Sequence, residues 1–395
     1  MDAALVARLA SAEGRAALAV AAEQTDLTSP AALDAVRRRV EPALASAACA
    51  QESLRRRAVT KFGAAAAGML FTPDGLEQAS RPEVAAHRAA RLAATGVRTV
   101  VDLGCGIGSD ALALARTGLR VVAVELDPAT AAVARANLAG LDAEVVEGDA
   151  EALAPGLLDG PDGEVAAFCD PARRDARGRL FDVERFTPSW SLVQRLLARE
   201  APAAVKLGPA VPHAVLPEGC EAEWVTARGS TVEVCLWGGR GSRPDHRVAT
   251  LLPGGDQLVV PPGRRGERAR VGDIGSWVHE PVGAVVRAGG IALLAGQLDL
   301  HLVDPGVAYL SSDHPVGSPF VDSFRVVEVL PWREKDVRAW LRRHDIGRLE
   351  IKKRGLELDP AQLRRRLKPS GSGEITLLLT RTPAGARAVL ATREP

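Results

Sequence analysis

The octapeptide Asp102-Leu-Gly-Cys-Gly-Ile-Gly-Ser109 constrains the fold more than any other stretch, because it follows an apolar run at 99–103 and opens a helical pattern at 109–116. Glycines at alternate positions between a strand and a helix let main chain approach a ligand where a β-carbon would collide. Strand, tight loop and helix in that order begin a βαβ unit of a parallel sheet. The pattern then recurs, with apolar runs at 121–124, 143–146, 164–169 and 203–207 alternating with helical stretches, as strands buried on both faces do. A final pair, 222–226 and 231–237, is joined by the short turn Arg228-Gly229-Ser230 and predicts a terminal hairpin. The expectation is an α/β domain over 93–240 with a Rossmann-like sheet.

The flanks read differently. Residues 1–92 are Ala-rich with Leu and Val at helical spacing, broken at Ser29-Pro30, Glu41-Pro42 and Thr72-Pro73-Asp74-Gly75, which predicts a helical amino-terminal cap. Gly238-Gly-Arg-Gly-Ser-Arg-Pro244 is rich in breakers and suits a boundary. Beyond it, 241–322 predicts a small β-rich insert. Residues 323–395 predict a compact α/β module with strands at 324–330, 348–354 and 374–380 and helices at 334–344 and 360–367.

At 395 residues the chain has room for two or three domains, and its 47% hydrophobic and 25% charged content is that of a soluble globular protein, without a membrane span. The first 25 residues mix Ala and Leu with Asp2, Arg8, Glu13 and Arg15, so they lack the apolar core of a secretory signal, and a cytoplasmic location is expected. Cys49, Cys105, Cys169, Cys220 and Cys235 are scattered and never spaced Cys-x-x-Cys, which argues against a disulfide framework and a zinc site, so no metal is expected. The net charge of +1 is unevenly spread: 325–368 holds fourteen Lys and Arg against seven Asp and Glu, leaving about −6 for the remainder.

A nicotinamide-binding fingerprint would place a third glycine where this chain has Ser109. The acids favour S-adenosylmethionine (SAM) instead. Asp102 ends the first strand, where its carboxylate can meet the cationic methionyl end of a ligand. Glu125 ends the second, where it can take both ribose hydroxyls, and Asp149 follows the third, placed to accept from the adenine amino group. The strings Val100-Val-Asp-Leu-Gly-Cys-Gly-Ile-Gly108, Val122-Ala-Val-Glu-Leu-Asp127 and Glu147-Gly-Asp149 resemble motifs I to III of the class I SAM-dependent methyltransferases. The resemblance implies that family's seven-stranded sheet with an antiparallel last strand, SAM as cofactor, and contacts from Gly104, Gly106 and Gly108. In related enzymes a lid folds over the methionine end of SAM. Here 69–80 stands in that place, with Thr72 and Gln78 as candidate donors.

Motif IV reads Cys169-Asp170-Pro171-Ala172-Arg173-Arg174 and departs from the Asn/Asp-Pro-Pro-aromatic pattern of amino-directed methyltransferases. The order Lys61, Asp170, Lys206, Glu233 resembles the Lys-Asp-Lys-Glu set of ribose 2′-O-methyltransferases. That resemblance implies a lysine of lowered pKa, sensitive to burial and to a second ammonium, removing the hydroxyl proton. The carboxyl-terminal segment resembles a THUMP-like domain, and THUMP domains proper bind RNA. Lys352, Lys353, Arg354, Arg364, Arg365 and Arg366 are its candidate phosphate contacts. Three readings remain open from sequence: an RNA methyltransferase, a SAM- and RNA-binding protein without catalysis, and a methyltransferase for a small molecule or protein.

Overall fold

Helix starts along the chain are written in capping residues and prolines. Asp2 and Ser11 cap α1 (Ala3–Ala10) and α2 (Ala12–Ala22), and proline opens α3 (Pro30–Arg37), α4 (Pro42–Phe62), α5 (Pro73–Gln78) and α6 (Pro82–Ala93). These elements come from a computed structural model, which describes residues 1–159, 164–173 and 183–393. Arg174 of motif IV and residues 394–395 lie outside the described residues. Contacts divide the chain into two compact units, Met1–Ala222 with Glu233–Asp245, and Glu223–Val232 with His246–Pro395.

In the first unit, β1 (Thr99–Leu103), α7 (Ser109–Arg116), β2 (Arg120–Glu125), α8 (Pro128–Asn137), β3 (Ala143–Glu147), α9 (Ala150–Leu158) and β4 (Val165–Cys169) alternate as the sequence predicts. A two-residue pair, β5 (Ala172–Arg173) with β6 (Phe186–Thr187), precedes α10 (Trp190–Leu197) and β7 (Ala203–Leu207). The hairpin β8 (Glu221–Ala227) and β9 (Ser230–Gly238) follows, and β9 runs antiparallel to β7 with Lys206 opposite Cys235. The order β8-β9-β7-β4-β1-β2-β3 reverses at β1, and the parallel register aligns the carboxyl ends of β1, β2 and β4: Leu103 faces both Val124 and Cys169. Ligands in open α/β sheets bind at such an edge. The amino-terminal helices share one core with the sheet, Val6, Leu9 and Leu44 packing in the same cluster as Val100, Val121 and Val133.

The expected seven strands are exceeded. Within the second unit, to which Glu223–Val232 of the hairpin belongs, the ladder runs on from β8 to β10 (Arg247–Leu252) and β11 (Asp256–Val260), so the sheet has nine strands among the described residues. Strand addition there removes the open edge that β8 would otherwise present.

The remainder of the second unit comprises β12 (Trp277–Pro281), α11 (Gly283–Ala288), α12 (Ile291–Gln297), β13 (His301–Asp304), β14 (Val307–Ser312), β15 (Val321–Pro331), α13 (Glu334–Arg343), β16 (Ile346–Arg354), α14 (Pro360–Leu367), β17 (Gly373–Thr382) and β18 (Gly385–Arg393). Its sheet runs β13-β14-β12-β15-β18-β17-β16, so the stretch read as an insert supplies three strands to the same sheet as the carboxyl-terminal module. Period-2 alternation splits the core between two faces: Leu377 and Leu379 pack with Trp340 and Leu363, whereas Leu378 packs with Phe324 and Tyr309. Among the described residues no helix is long and apolar enough to cross a membrane, and no cluster of His, Cys, Asp and Glu could hold a metal ion.

Candidate active site

A cavity of about 370 Å³ opens at the carboxyl edge of the first unit's sheet. Its floor is the glycine loop. Gly104, Gly106 and Gly108 adopt φ of +86°, +56° and +78°, a backbone region that side-chain-bearing residues avoid. A β-carbon added at Gly106 would meet nothing within 4 Å, whereas one at Gly108 would touch Ala134 of α8 and Leu138 at its carboxyl end. Gly104 and Gly106 line the cavity, and Gly108 instead sets the packing of α7 on α8. Asn137 on α8 donates to the Ile107 carbonyl at 2.8 Å and exchanges two hydrogen bonds with Leu70, tying the loop to the 69–72 segment.

Four predicted polar contacts besides Asp102 line this cavity: Thr72, Gln78, Glu125 and Asp149. Thr72 caps α5, its hydroxyl oxygen accepting from Gly75 N, so its proton remains available for donation. Glu125 accepts from Gly106 N and Asp127 N, both at 2.9 Å, and braces the loop. A carboxylate has about four lone-pair sites, which leaves capacity for two hydroxyls. Asp149 spends one oxygen on Glu151 N as the cap of α9. Leu126, exposed at 63%, borders the same space and offers an apolar surface to a ring.

Asp102 differs from all of these. It is fully buried, lines the cavity, and neither carboxylate oxygen has a hydrogen-bond partner among the described residues. Burial, reinforced by the negative charge of Asp110, Asp170 and Glu125, pushes its pKa well above the usual carboxylate range. An orphan buried carboxyl is costly unless a cation meets it, and the ammonium of a methionyl group is such a cation.

The four-residue set is not assembled. Lys61, in the last turn of α4, donates to the carbonyls of Leu76, Glu77 and Ala79 at 2.6, 2.9 and 3.0 Å. Glu233 pairs with the buried Arg88, which also bonds Asp110 and the Ser80 hydroxyl. Burial raises the Glu233 pKa, with Arg88 and Lys206 opposing it. Only Asp170 and Lys206 meet, in an ion pair, with Asp170 lining the cavity. The lowered lysine pKa expected of a base is overturned at Lys206. Burial works to lower it, but Asp170 and Asp110 outweigh burial and the pKa is raised. At Lys61 burial, then Lys206 and Arg81, do lower the pKa, yet all three N–H bonds are spent on carbonyls.

Arg88, Asp110 and Ser80 escaped the sequence reading. The signal was an arginine within the apolar stripe Val84, Ala85, Ala89 and Leu92 of α6, a position that forces a buried charge to find partners. In the second unit, Lys352 and Arg354 are spent on Glu280 at 2.5 and 3.2 Å, and Arg366 on Glu334 at 3.0 Å. Lys353, Arg364 and Arg365 are exposed.

A parallel sheet with an antiparallel late strand, a glycine loop after β1 and acids ending β1 and β2 and following β3 define a class I methyltransferase. Comparison with known proteins agrees. Residues 100–168 match a methyltransferase domain family, 321–393 a THUMP domain-like family, and 2–58 a domain of unknown function, DUF8688. The chain is 35% identical over 344 residues to uncharacterised S-adenosylmethionine-dependent methyltransferases of two Mycobacterium tuberculosis strains, covering 84% of this chain and 92% of theirs. A crystal structure ascribed to a methyltransferase from Porphyromonas gingivalis W83 superposes with a TM-score of 0.79 at 22% identity, covering 96% of this chain and 98% of that one. The chain belongs to the S-adenosylmethionine-dependent methyltransferases.

Proposed function

We propose that this enzyme methylates RNA, with the second unit docking the nucleic acid and Asp170 holding the acceptor atom in the first. The observation that carries the substrate class is the THUMP domain-like match at 321–393, in a segment whose 325–368 portion holds the chain's excess of positive charge. Within it, Lys353, Arg364 and Arg365 are the phosphate contacts, because Lys352, Arg354 and Arg366 already serve carboxylates of their own unit.

Asp102 holds the ammonium of SAM, Glu125 the ribose and Asp149 the adenine, with Thr72 and Gln78 donating from α5. Bound SAM supplies an electrophilic methyl group on its sulfonium. The carboxylate of Asp170 accepts the hydrogen borne by the acceptor atom and so aims that atom's lone pair, and Lys206 fixes the orientation of Asp170 through the ion pair. This assigns proton acceptance to the acid and a supporting charge to the lysine. A ribose 2′-hydroxyl fits this arrangement, as does any other polar hydrogen-bearing atom.

Incubation with methyl-labelled SAM and RNA from cells lacking the protein tests the reading. Label is expected in RNA, at one nucleotide that digestion and mass spectrometry locate. Label found only in protein or small molecules removes RNA as the substrate class.

A further inference from the structure

One face of α4 carries the segment that closes the cofactor cavity. Gln51, 1% exposed, exchanges two hydrogen bonds with the main chain of Phe71, at 2.6 and 3.0 Å. One turn on, Arg55 donates to the Met69 carbonyl at 2.9 Å. At the end of the helix, Lys61 takes the carbonyls of Leu76, Glu77 and Ala79. The held segment is not remote from the ligand site, for Thr72, Asp74, Gly75, Gln78 and Ala79 all line the cavity. Its seat is tight: a β-carbon at Gly75 would fall 2.3 Å from Ile107 of the glycine loop.

We infer that Lys61 is a positioning residue for SAM, acting through α5 and not through the acceptor. A helix of six residues cannot hold itself in water, and its last carbonyls have no partners within the helix. An ammonium offers three donors and no acceptor, and here three carbonyls receive them. The positive charge also stands at the negative end of the α5 dipole. Without it, α5 loses the anchor at its carboxyl end while Thr72, at the other end, keeps its cap on Gly75 N. Gln78 and Ala79 then leave the cavity wall undefined, and part of the cofactor's binding free energy goes to ordering them. The inference rests on the SAM site alone and is indifferent to the identity of the acceptor.

Calorimetric titration of SAM into Lys61→Met and Lys61→Arg, with hydrogen exchange followed over 72–80, tests it. Lys61→Met is expected to raise the SAM Kd about tenfold, to speed exchange in 72–80, and to leave kcat at saturating SAM within about twofold of the parent. Lys61→Arg, which keeps the charge and several donors, is expected to recover most of the affinity. An unchanged Kd overturns the inference, whether kcat collapses, as a catalytic lysine would require, or only the melting temperature falls. Should Lys61→Met fail to fold, exchange in the parent protein decides: SAM must slow the amides of 72–80, and equal exchange with and without SAM overturns the inference.

Discussion

The cofactor half and the acceptor half of the site make an instructive pair. Residues picked for SAM converge on one cavity, all but Gly108 lining it, whereas of the four picked for catalysis only Asp170 and Lys206 pair with each other. Both halves draw on strand ends, and the difference lies in what else each needs. Asp102, Glu125 and Asp149 stand at or just after adjacent strand ends that the parallel register carries to one edge, with Thr72 and Gln78 joining them from α5. The acceptor half depends on which of several buried cations meets which carboxylate. That pairing is decided by Arg88, a residue far from every motif, which takes Glu233 and Asp110 and leaves Lys206 to Asp170.

Mutations of the two halves should therefore separate cleanly. The largest effect is expected at Gly106→Leu, where φ of +56° is strained for leucine and the new side chain occupies the cavity. SAM binding should become undetectable by calorimetry, and retained binding would mean that the loop does not floor the site. Asp102→Asn comes next. SAM affinity should fall by about 1.5–3 kcal/mol, roughly ten- to a hundredfold, while the free protein becomes more stable at pH 7. The sign follows from the raised pKa: the folded state holds the Asp102 proton more tightly than the unfolded state, whose carboxyl titrates near 3.8. Parent stability is thus lost as pH rises above about 4, the ordinary carboxylate range, and the gain in Asp102→Asn should vanish below it in thermal melts.

Variants of Lys206 sharpen the other half. Lys206→Ala should depress kcat strongly and leave the SAM Kd within about threefold, the pattern of an interaction absent from cofactor binding. Lys206→Arg should keep a measurable share of activity, since a guanidinium can still pair with Asp170. A silent Lys206→Arg protein with normal SAM affinity would return the proton to the lysine, because a guanidinium does not give one up. The smallest effect is expected in the second unit. Reversing Lys353, Arg364 and Arg365 should reduce the salt dependence of RNA binding by a slope of about 2, near 0.7 per lost contact on single strands. Equal slopes for parent and variant would remove these three residues from the interface.

Much of the fold was legible because it is local. The runs at 99–103 and 203–207 are short and mostly apolar, the trace left by a strand buried on both faces, whereas β3, at the sheet edge, carries Glu144 and is only half-buried. The second unit was harder. Its strands β12, β13 and β14 are short, two helices lie between β12 and β13, and β15, the strand that joins β12 to the rest of the sheet, lies downstream, so nothing nearby announced one sheet. β18, beyond Pro383-Ala384, was missed because the alternation had already ended on a plausible last strand. In the site, Lys61 stood in the right order for a catalytic set, but order along the chain does not say whether an ammonium faces substrate or a helix end.

The placement of Glu280 on β12 bears on how this protein can be cut into pieces. A fragment starting at Val321, where the THUMP domain-like match begins, would leave β15 an open edge and strip Val278, Val303 and Tyr309 from beneath Phe324. It would also remove Glu280, the carboxylate that Lys352 and Arg354 share, leaving Lys352 with only the longer contacts to Asp322 and Glu350. Such a fragment would carry a less compensated basic face than the intact chain, so any affinity it shows for a polyanion would report the cut as well as the enzyme.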